Sequence, residues 1–176
     1  MSYETLYYEG DFYPAFQATG NAARFVIPFA KEFCDGVGFD VGCNKKEWAF
    51  PGAQLADISL NGIEADNLPC ENESLDYIFS SHMMEHYVGN WADLLDHWYS
   101  KLKSKGVLFL YLPDFSQRYW RIFNNRKHIH TLTPQIVKEY FESCYDTTHS
   151  PKPNWKKHHI SGVDLNNSFI VVAQKK

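Results

Sequence analysis

Apolar and polar positions along the chain switch between two periods, one helical and one extended. Ala22, Phe25, Val26, Phe29, Ala30 and Phe33 fall on one stripe at helical spacing, with Asn21 before it as a cap and Pro28 inside it as a kink. Gly36 then opens a short apolar run, Val37, Phe39 and Val41, that suits a strand buried on both faces over about 36 to 43. A loop carrying Trp48 and Phe50 leads through Gly52 into a second strand at about 53 to 58. The polar turn Glu71-Asn72-Glu73-Ser74 precedes a strand at about 75 to 80. Asn90 caps a helix with the stripe Trp91, Leu94, Leu95, Trp98 and Leu102, ended by Gly106, with Lys101, Lys103 and Lys105 near its negative end. Residues 107 to 112 are nearly all apolar and read as a central strand. Thr133-Pro134 starts another helix, which Ile136, Val137, Tyr140, Phe141 and Cys144 carry to about 144. After a polar loop at 146 to 157, His158–Asp164 and Ser168–Gln174 flank Leu165-Asn166-Asn167 as a hairpin.

Strands separated by helices and closed by a hairpin predict an α/β fold. The expected form is a three-layer, doubly wound Rossmann-like sheet, mostly parallel, with an antiparallel C-terminal strand, as one domain over 1–176. A ligand cleft in such a sheet lies at the carboxyl ends of the strands, where the winding reverses.

Composition narrows the class. With 44% hydrophobic and 16% aromatic residues in 176, the chain can bury a sizeable core and is not a disordered segment. A net charge of −4 and a pI near 6.0 argue against a nucleic-acid partner. Cys34, Cys43, Cys70 and Cys144 are scattered with no C-x-x-C pair and read as buried thiols of a reducing compartment. Nothing reads as a signal peptide or a membrane span, so a soluble, cytoplasmic protein is expected.

Four motifs carry the candidate chemistry. Asp40-Val41-Gly42-Cys43-Asn44 ends the first sheet strand in a glycine turn, and Asp57-Ile58-Ser59 ends the second. Ala65-Asp66-Asn67-Leu68-Pro69 follows, and then Ser74-Leu75-Asp76-Tyr77-Ile78-Phe79-Ser80-Ser81-His82-Met83-Met84-Glu85-His86. Together with Leu102-Lys103-Ser104-Lys105-Gly106, their order resembles the class I S-adenosylmethionine-dependent methyltransferases, especially the small type 11 branch, over about residues 20 to 114. The resemblance implies a strand order 3-2-1-4-5-7-6 and S-adenosylmethionine as cofactor, leaving as S-adenosylhomocysteine.

Two departures stand out. The glycine turn continues as Asn44-Lys45-Lys46 where the family has further glycines, although Asn tolerates left-handed φ better than most residues. Only eight residues separate Asp57 from Asp66, whereas a parallel crossover takes about a dozen or more. The helix between strands 2 and 3 is therefore expected to be missing, with residues 60 to 65 forming a loop or a very short strand.

Carried onto this chain, the resemblance gives Asp57 the ribose hydroxyls, since one carboxylate can accept from both. Asp66 and the Asn67 amide suit the adenine edge, and Ile58 and Leu68 would sandwich the purine. Asp40, Gly42 and Asn44 would hold the amino-acid end, and Ser81 would sit at the methyl-transfer end. His82 is the first candidate base, with His130 and then His128 behind it, because imidazole titrates near neutral pH. His82-Met83-Met84-Glu85-His86 also matches the H-x-x-E-H zinc-protease signature, but it follows a buried strand and no convincing third ligand stands downstream, so no metal is expected.

Two segments flank this frame. An aromatic arm over 1–19 is either a cover over the first helix or a lid over the cofactor. An insertion over 115–132, with Arg118, Tyr119, Trp120, Arg121, Arg126, Lys127, His128 and His130, is either a surface helix or the wall for an anionic, ring-containing acceptor such as a phosphorylated sugar or glycan. Methyl transfer to a small-molecule or glycan acceptor is the function expected. A methyltransferase-fold protein that binds ligand or partner without catalysis is the alternative.

Overall fold

Period-two alternation in the strands sorts their side chains between two cores, and that division sets the layers. Residues 4–8, 10–15, 21–121, 127–143 and 153–176 are described by the computed structural model. The strands are β1 (Thr5–Tyr8), β2 (Asp11–Pro14), β3 (Gly38–Val41), β4 (Gln54–Ala56), β5 (Leu75–Ser81), β6 (Leu102–Pro113), β7 (Trp155–Ile160) and β8 (Ser168–Lys175). The α-helices are α1 (Ile27–Ala30), α2 (Trp91–Lys101) and α3 (Pro134–Ser143).

Phe39, Val41, Ile78, Leu108, Leu110, Phe169 and Val171 meet Leu94, Leu95 and Trp98 of α2 and Val137 and Phe141 of α3 in one core. The intervening residues Tyr77, Phe79, Phe109 and Tyr111 pack on the opposite face against Ala22, Val26, Ala30 and Phe50. The result is a three-layer sandwich around a six-stranded sheet of order β4-β3-β5-β6-β8-β7. β3, β4, β5 and β6 run parallel, and β8 runs antiparallel to both β6 and β7. This is the expected Rossmann-like architecture, with the reversed strand lying inside the sheet beside β6 while β7 forms the edge.

Several expectations need correction. No third-strand pairing occurs among the described residues, so the sheet ends at β4 instead of continuing as 3-2-1-4-5-7-6. Residues 57 to 66 contain turns and no helix, as the short spacing requires. The stripe from Ala22 to Phe33 is not one helix: a 3-10 turn, Ala22–Phe25, precedes α1, and Pro28 stands in its first turn. Pro28 lacks the N–H that a through-running helix would need there, so the segment restarts. Asn21 makes no side-chain cap.

α2 follows expectation at its start, where Asn90 Oδ1 accepts from the Ala92 N–H at 2.9 Å. Its end differs, because Leu102 is already extended and pairs with Leu75 at the head of β6. Gly106 instead lies in an irregular stretch where the register jumps between Leu75 and Tyr77. The buried Lys175 Nζ satisfies the carbonyls of Tyr99 and Leu102 at 3.0 and 2.8 Å, a long-range cap that no local motif announces. Lys103 pairs with Asp76 and Lys101 with the Cys70 carbonyl, so neither serves the helix end as expected.

The helix from Thr133-Pro134 forms, with Thr133 Oγ1 accepting from the Ile136 N–H at 3.2 Å. The C-terminal hairpin forms too, with Asn167 at φ 56° in its turn. Residues 161 to 164 belong to that turn and not to a strand. The aromatic arm contributes a separate two-stranded hairpin, β1-β2, whose Tyr7 and Phe12 are exposed. Cys34 and Cys43 are buried free thiols, while Cys144, Arg126 and residues 146 to 152 fall outside the described part. No helix among the described residues is long and apolar enough to cross a membrane.

Candidate functional site

A cleft of about 880 Å³ opens where β3, β4 and β5 end, lined in part by Gly42, Asn44, Asp57, Ile58, His82 and His128. The strand ends converge there because the Gly42 N–H donates to the Ala56 carbonyl at 2.9 Å. Gly42 has φ 82°, and a Cβ on it would lie 2.6 Å from Met83 Cβ and nearer still to Cγ. The close approach that requires glycine is thus to Met83, which itself lines the cleft.

The turn continues to Asn44 at φ 61°, the left-handed conformation expected of it. Its N–H donates to Asp57 Oδ2 at 2.7 Å, while Ser59 donates to Oδ1 through its N–H at 2.9 Å and its hydroxyl at 2.5 Å. Burial alone would raise the Asp57 carboxyl, but the Ser59 and Asn44 donors outweigh it and hold the group below its ordinary value. A carboxylate offers about four lone-pair directions, and the Asn44, Ser59 and Leu60 donors occupy them, so a ligand hydroxyl enters by exchange. Ile58, next in the chain, is 71% exposed on the cleft wall, with Ile63 beside it. Asp66 lines the same end and accepts from the Tyr87 hydroxyl at 2.8 Å.

Not every sequence candidate reaches the cleft. Asp40 is 1% exposed, and its Oδ2 accepts from the Phe50 N–H at 2.6 Å, on the face away from the cleft lining. Leu68 is buried in the α2-side core, where it packs instead of stacking on a ligand. Asn67 and Ser81 are not among the lining residues, although the Ser81 hydroxyl is buried with no hydrogen-bond partner. His130 Nε2 donates to the Tyr87 carbonyl at 2.8 Å and braces that loop from outside the cleft. Arg121 turns to its own loop, donating to the Ser116 carbonyl at 3.2 Å with its guanidinium against the Phe115 ring.

Burial pushes Asp40 up to about 7, with the Phe50 N–H opposing and the Asp57 charge adding to the rise. A carboxyl with a raised folded value favours the fold at low pH, and that contribution is lost as pH rises from the ordinary carboxylate range toward 7. Asp40→Asn, which keeps an acceptor for Phe50, is expected to lose less stability than wild type from about pH 5 to about pH 8. Urea unfolding at both values measures this, and parallel losses would show that Asp40 is not the titrating group.

The other end of the cleft is built from β5, the 3-10 turn Met84–His86 and the insertion. His82, at φ 50°, turns sharply out of β5, and its Nε2 meets Ser168 Oγ at 2.9 Å. Its ring packs against Tyr111 and Trp120, and burial, with His128 and His86 nearby, keeps it well below the ordinary imidazole value. Trp120 stacks on His128 at 5.4 Å, so this part of the insertion closes over this end of the cleft. Glu85 is 1% exposed, neither carboxylate oxygen has a hydrogen-bond partner outside its own residue, and burial, opposed by its own N–H, pushes the group up to about 8. His82 Nδ1, His86 Nε2 and His128 Nε2 lie 3.8, 3.6 and 4.0 Å from its Oε1. Sequence reasoning gave His82 and His86 a zinc-binding role and Glu85 that of a base only under the zinc-protease signature, which it set aside, and it did not join His128 to them. The signal was present in H-x-x-E-H, but its third partner lies in the insertion and only folding delivers it.

A family model described as "Methyltransferase domain" matches residues 18–144. No curated protein sequence matches the chain. A SAM dependent methyltransferase from Archaeoglobus fulgidus has a similar structure, with TM-score 0.62 at 15% identity over 92% of this chain and 98% of that one. A Pyrococcus horikoshii protein gives TM-score 0.62 at 14% identity, covering 92% of this chain and 91% of that one. Phosphoethanolamine N-methyltransferase 2 of Haemonchus contortus, in complex with S-adenosyl-L-methionine, gives TM-score 0.60 at 11% identity over 86% of this chain and 52% of that one. At such identities the structural likenesses concern the fold.

Proposed function

We propose, from the premise that this chain belongs to the methyltransferase-domain family, that it moves the methyl group of S-adenosylmethionine to an oxygen or nitrogen of a small-molecule or glycan acceptor. One juxtaposition supports the reading. Exposed Ile58 beside buried Asp57 stands at one end of the cleft, and an imidazole-rich wall stands at the other.

The residues present fit the cofactor. An apolar side chain held 71% exposed on a concave wall suits a purine face, and Ile63 extends that surface. Asp57 can take a ribose hydroxyl by displacing the Ser59 hydroxyl. Asp66 keeps one oxygen clear of Tyr87 for the exocyclic amine. Gly42 and Asn44 line the cleft between Asp57 and His82. S-adenosylmethionine supplies an electrophilic methyl on its sulfonium, and displacement there is accelerated chiefly by positioning.

His82 is the proposed positioning residue at the acceptor end. Its Nε2 is occupied by Ser168 and its Nδ1 faces Glu85, so it shapes the wall more than it offers an open lone pair. Replacing His82 with Ala is expected to lower kcat with little change in cofactor affinity. Equal losses in both would place it at the cofactor instead.

Calorimetry with S-adenosylmethionine and S-adenosylhomocysteine tests the reading. One site per chain, with the two ligands competing, is expected. Folded protein that binds neither rejects it. Binding without transfer of labelled methyl to any acceptor in a broad small-molecule and glycan panel favours the non-catalytic alternative.

A further inference from the structure

We propose that Glu85, His86 and His128 bind a divalent first-row transition-metal ion at the acceptor end of the cleft. One ligand atom from each lies within 4.8 Å of the others. A tetrahedral ion with bonds of about 2.1 Å places its ligand atoms roughly 3.4 Å apart. The separations from Glu85 Oε1 to His86 Nε2 and His128 Nε2, 3.6 and 4.0 Å, exceed that by only a few tenths of an ångström.

The hydrogen bond on the far side of the His86 ring points the same way. His86 Nδ1 sits 2.7 Å from the Lys127 carbonyl, which can only accept, so Nδ1 carries the proton and the neutral ring turns its Nε2 lone pair toward Glu85. His128 is held by a hydrogen bond to the Trp120 backbone while its Nε2 faces the same carboxylate. Outer partners of this kind fix the tautomer and aim of metal-binding imidazoles. Two ring nitrogens and a 1%-exposed carboxylate then face one another with no hydrogen bond from another residue on either oxygen of Glu85. With Glu85 ionised this arrangement is costly, and a cation between the three groups satisfies them together.

The ligand set names the ion class. Two imidazoles and one carboxylate form a mixed nitrogen–oxygen set suited to Zn²⁺ or Fe²⁺, and three protein ligands leave a position open. All three residues line the cleft, so that position faces the acceptor. The role, unlike the binding, rests on the methyl-transfer reading. The ion would hold an acceptor hydroxyl and ease loss of its proton to solvent. An oxygen lone pair then forms the O–CH₃ bond as the S–CH₃ bond breaks and its pair stays on sulfur. Oxygen acceptors able to ligate a metal, such as phenols and sugar hydroxyls, follow as the substrate class.

The test uses the full chain, stripped with a chelator and titrated with Zn²⁺ by calorimetry, with circular dichroism and S-adenosylhomocysteine binding measured on each sample. One Zn²⁺ per chain is expected, weakened by more than ~100-fold in both His128→Ala and Glu85→Gln, because each loses a direct ligand. Cobalt(II) substitution should give visible bands that vanish in the same variants. Wild type that takes up no stoichiometric Zn²⁺, or folded variants that bind it as wild type does, overturns the proposal. If S-adenosylhomocysteine binds while Zn²⁺ does not, the metal site alone fails; if Zn²⁺ binds and S-adenosylhomocysteine does not, the cofactor reading alone fails.

Discussion

Asp57→Ala is expected to weaken S-adenosylmethionine binding by about 1.5–3 kcal/mol, the range for losing a charged hydrogen-bond partner. Two effects combine. The charged acceptor for the ribose disappears, and the Asn44 N–H, 2.7 Å from Asp57 Oδ2, loses the bond that holds the glycine turn closed against β4. Asp57→Asn separates them, since its amide oxygen can still accept from Asn44 but carries no charge. It should fall between wild type and Asp57→Ala in affinity while unfolding nearly as wild type does. Titration calorimetry measures the first quantity and denaturant unfolding the second. Folded Asp57→Ala with unchanged affinity would leave Asp57 a turn residue and remove it from the cofactor site.

Gly42→Ala is expected to destabilise the fold by about 2–5 kcal/mol, with loss of cofactor binding. Left-handed φ costs a non-glycine residue about 1–2 kcal/mol, and an inserted methyl in a packed site costs about 1–3 kcal/mol more. The contact is with Met83 Cβ, 2.6 Å from the added carbon, which no rotamer change can move away. Met83 must shift bodily, and Met83 belongs to the cleft lining between the two ends of the site. Met83→Ala in the Gly42→Ala background should recover part of the stability, a coupling that a double-mutant cycle reads directly. Additive losses would place the strain in the backbone and the Met83 Cβ, which alanine keeps, and not in the Met83 Cγ.

Much of the frame was legible in the residues. The nearly unbroken apolar run Val107 to Leu112 announced a strand buried on both faces, and it lies inside the sheet between β5 and β8. Asn90 and Thr133-Pro134 announced two helix starts, and the spacing from Asp57 to Asp66 excluded a crossover helix. These features depend on neighbours a few residues apart, where covalent geometry already fixes the outcome.

Other positions carried a local signal that a longer-range contact overruled. Gly106 looked like a helix stop, but pairing with Leu75 captured Leu102 into β6 first. Leu68 had the right motif for a purine wall and went into the core because its loop lies against α2. Asp40 had the right motif for the cofactor, yet strand alternation turned it to the opposite face, toward Phe50.

The sequence by itself therefore determined the layer order, the glycine turn at Gly42–Asn44 and the acidic strand end at Asp57, all of which follow from periodicity and turn chemistry. The meeting of Glu85 and His86 with His128 was decided only in three dimensions. Trp120 stacks on His128, the Lys127 carbonyl accepts from His86, and these described parts of the insertion are thereby held over the end of β5. No spacing rule encodes that return, because it depends on the burial of an aromatic ring against a surface that exists only once the sheet has formed.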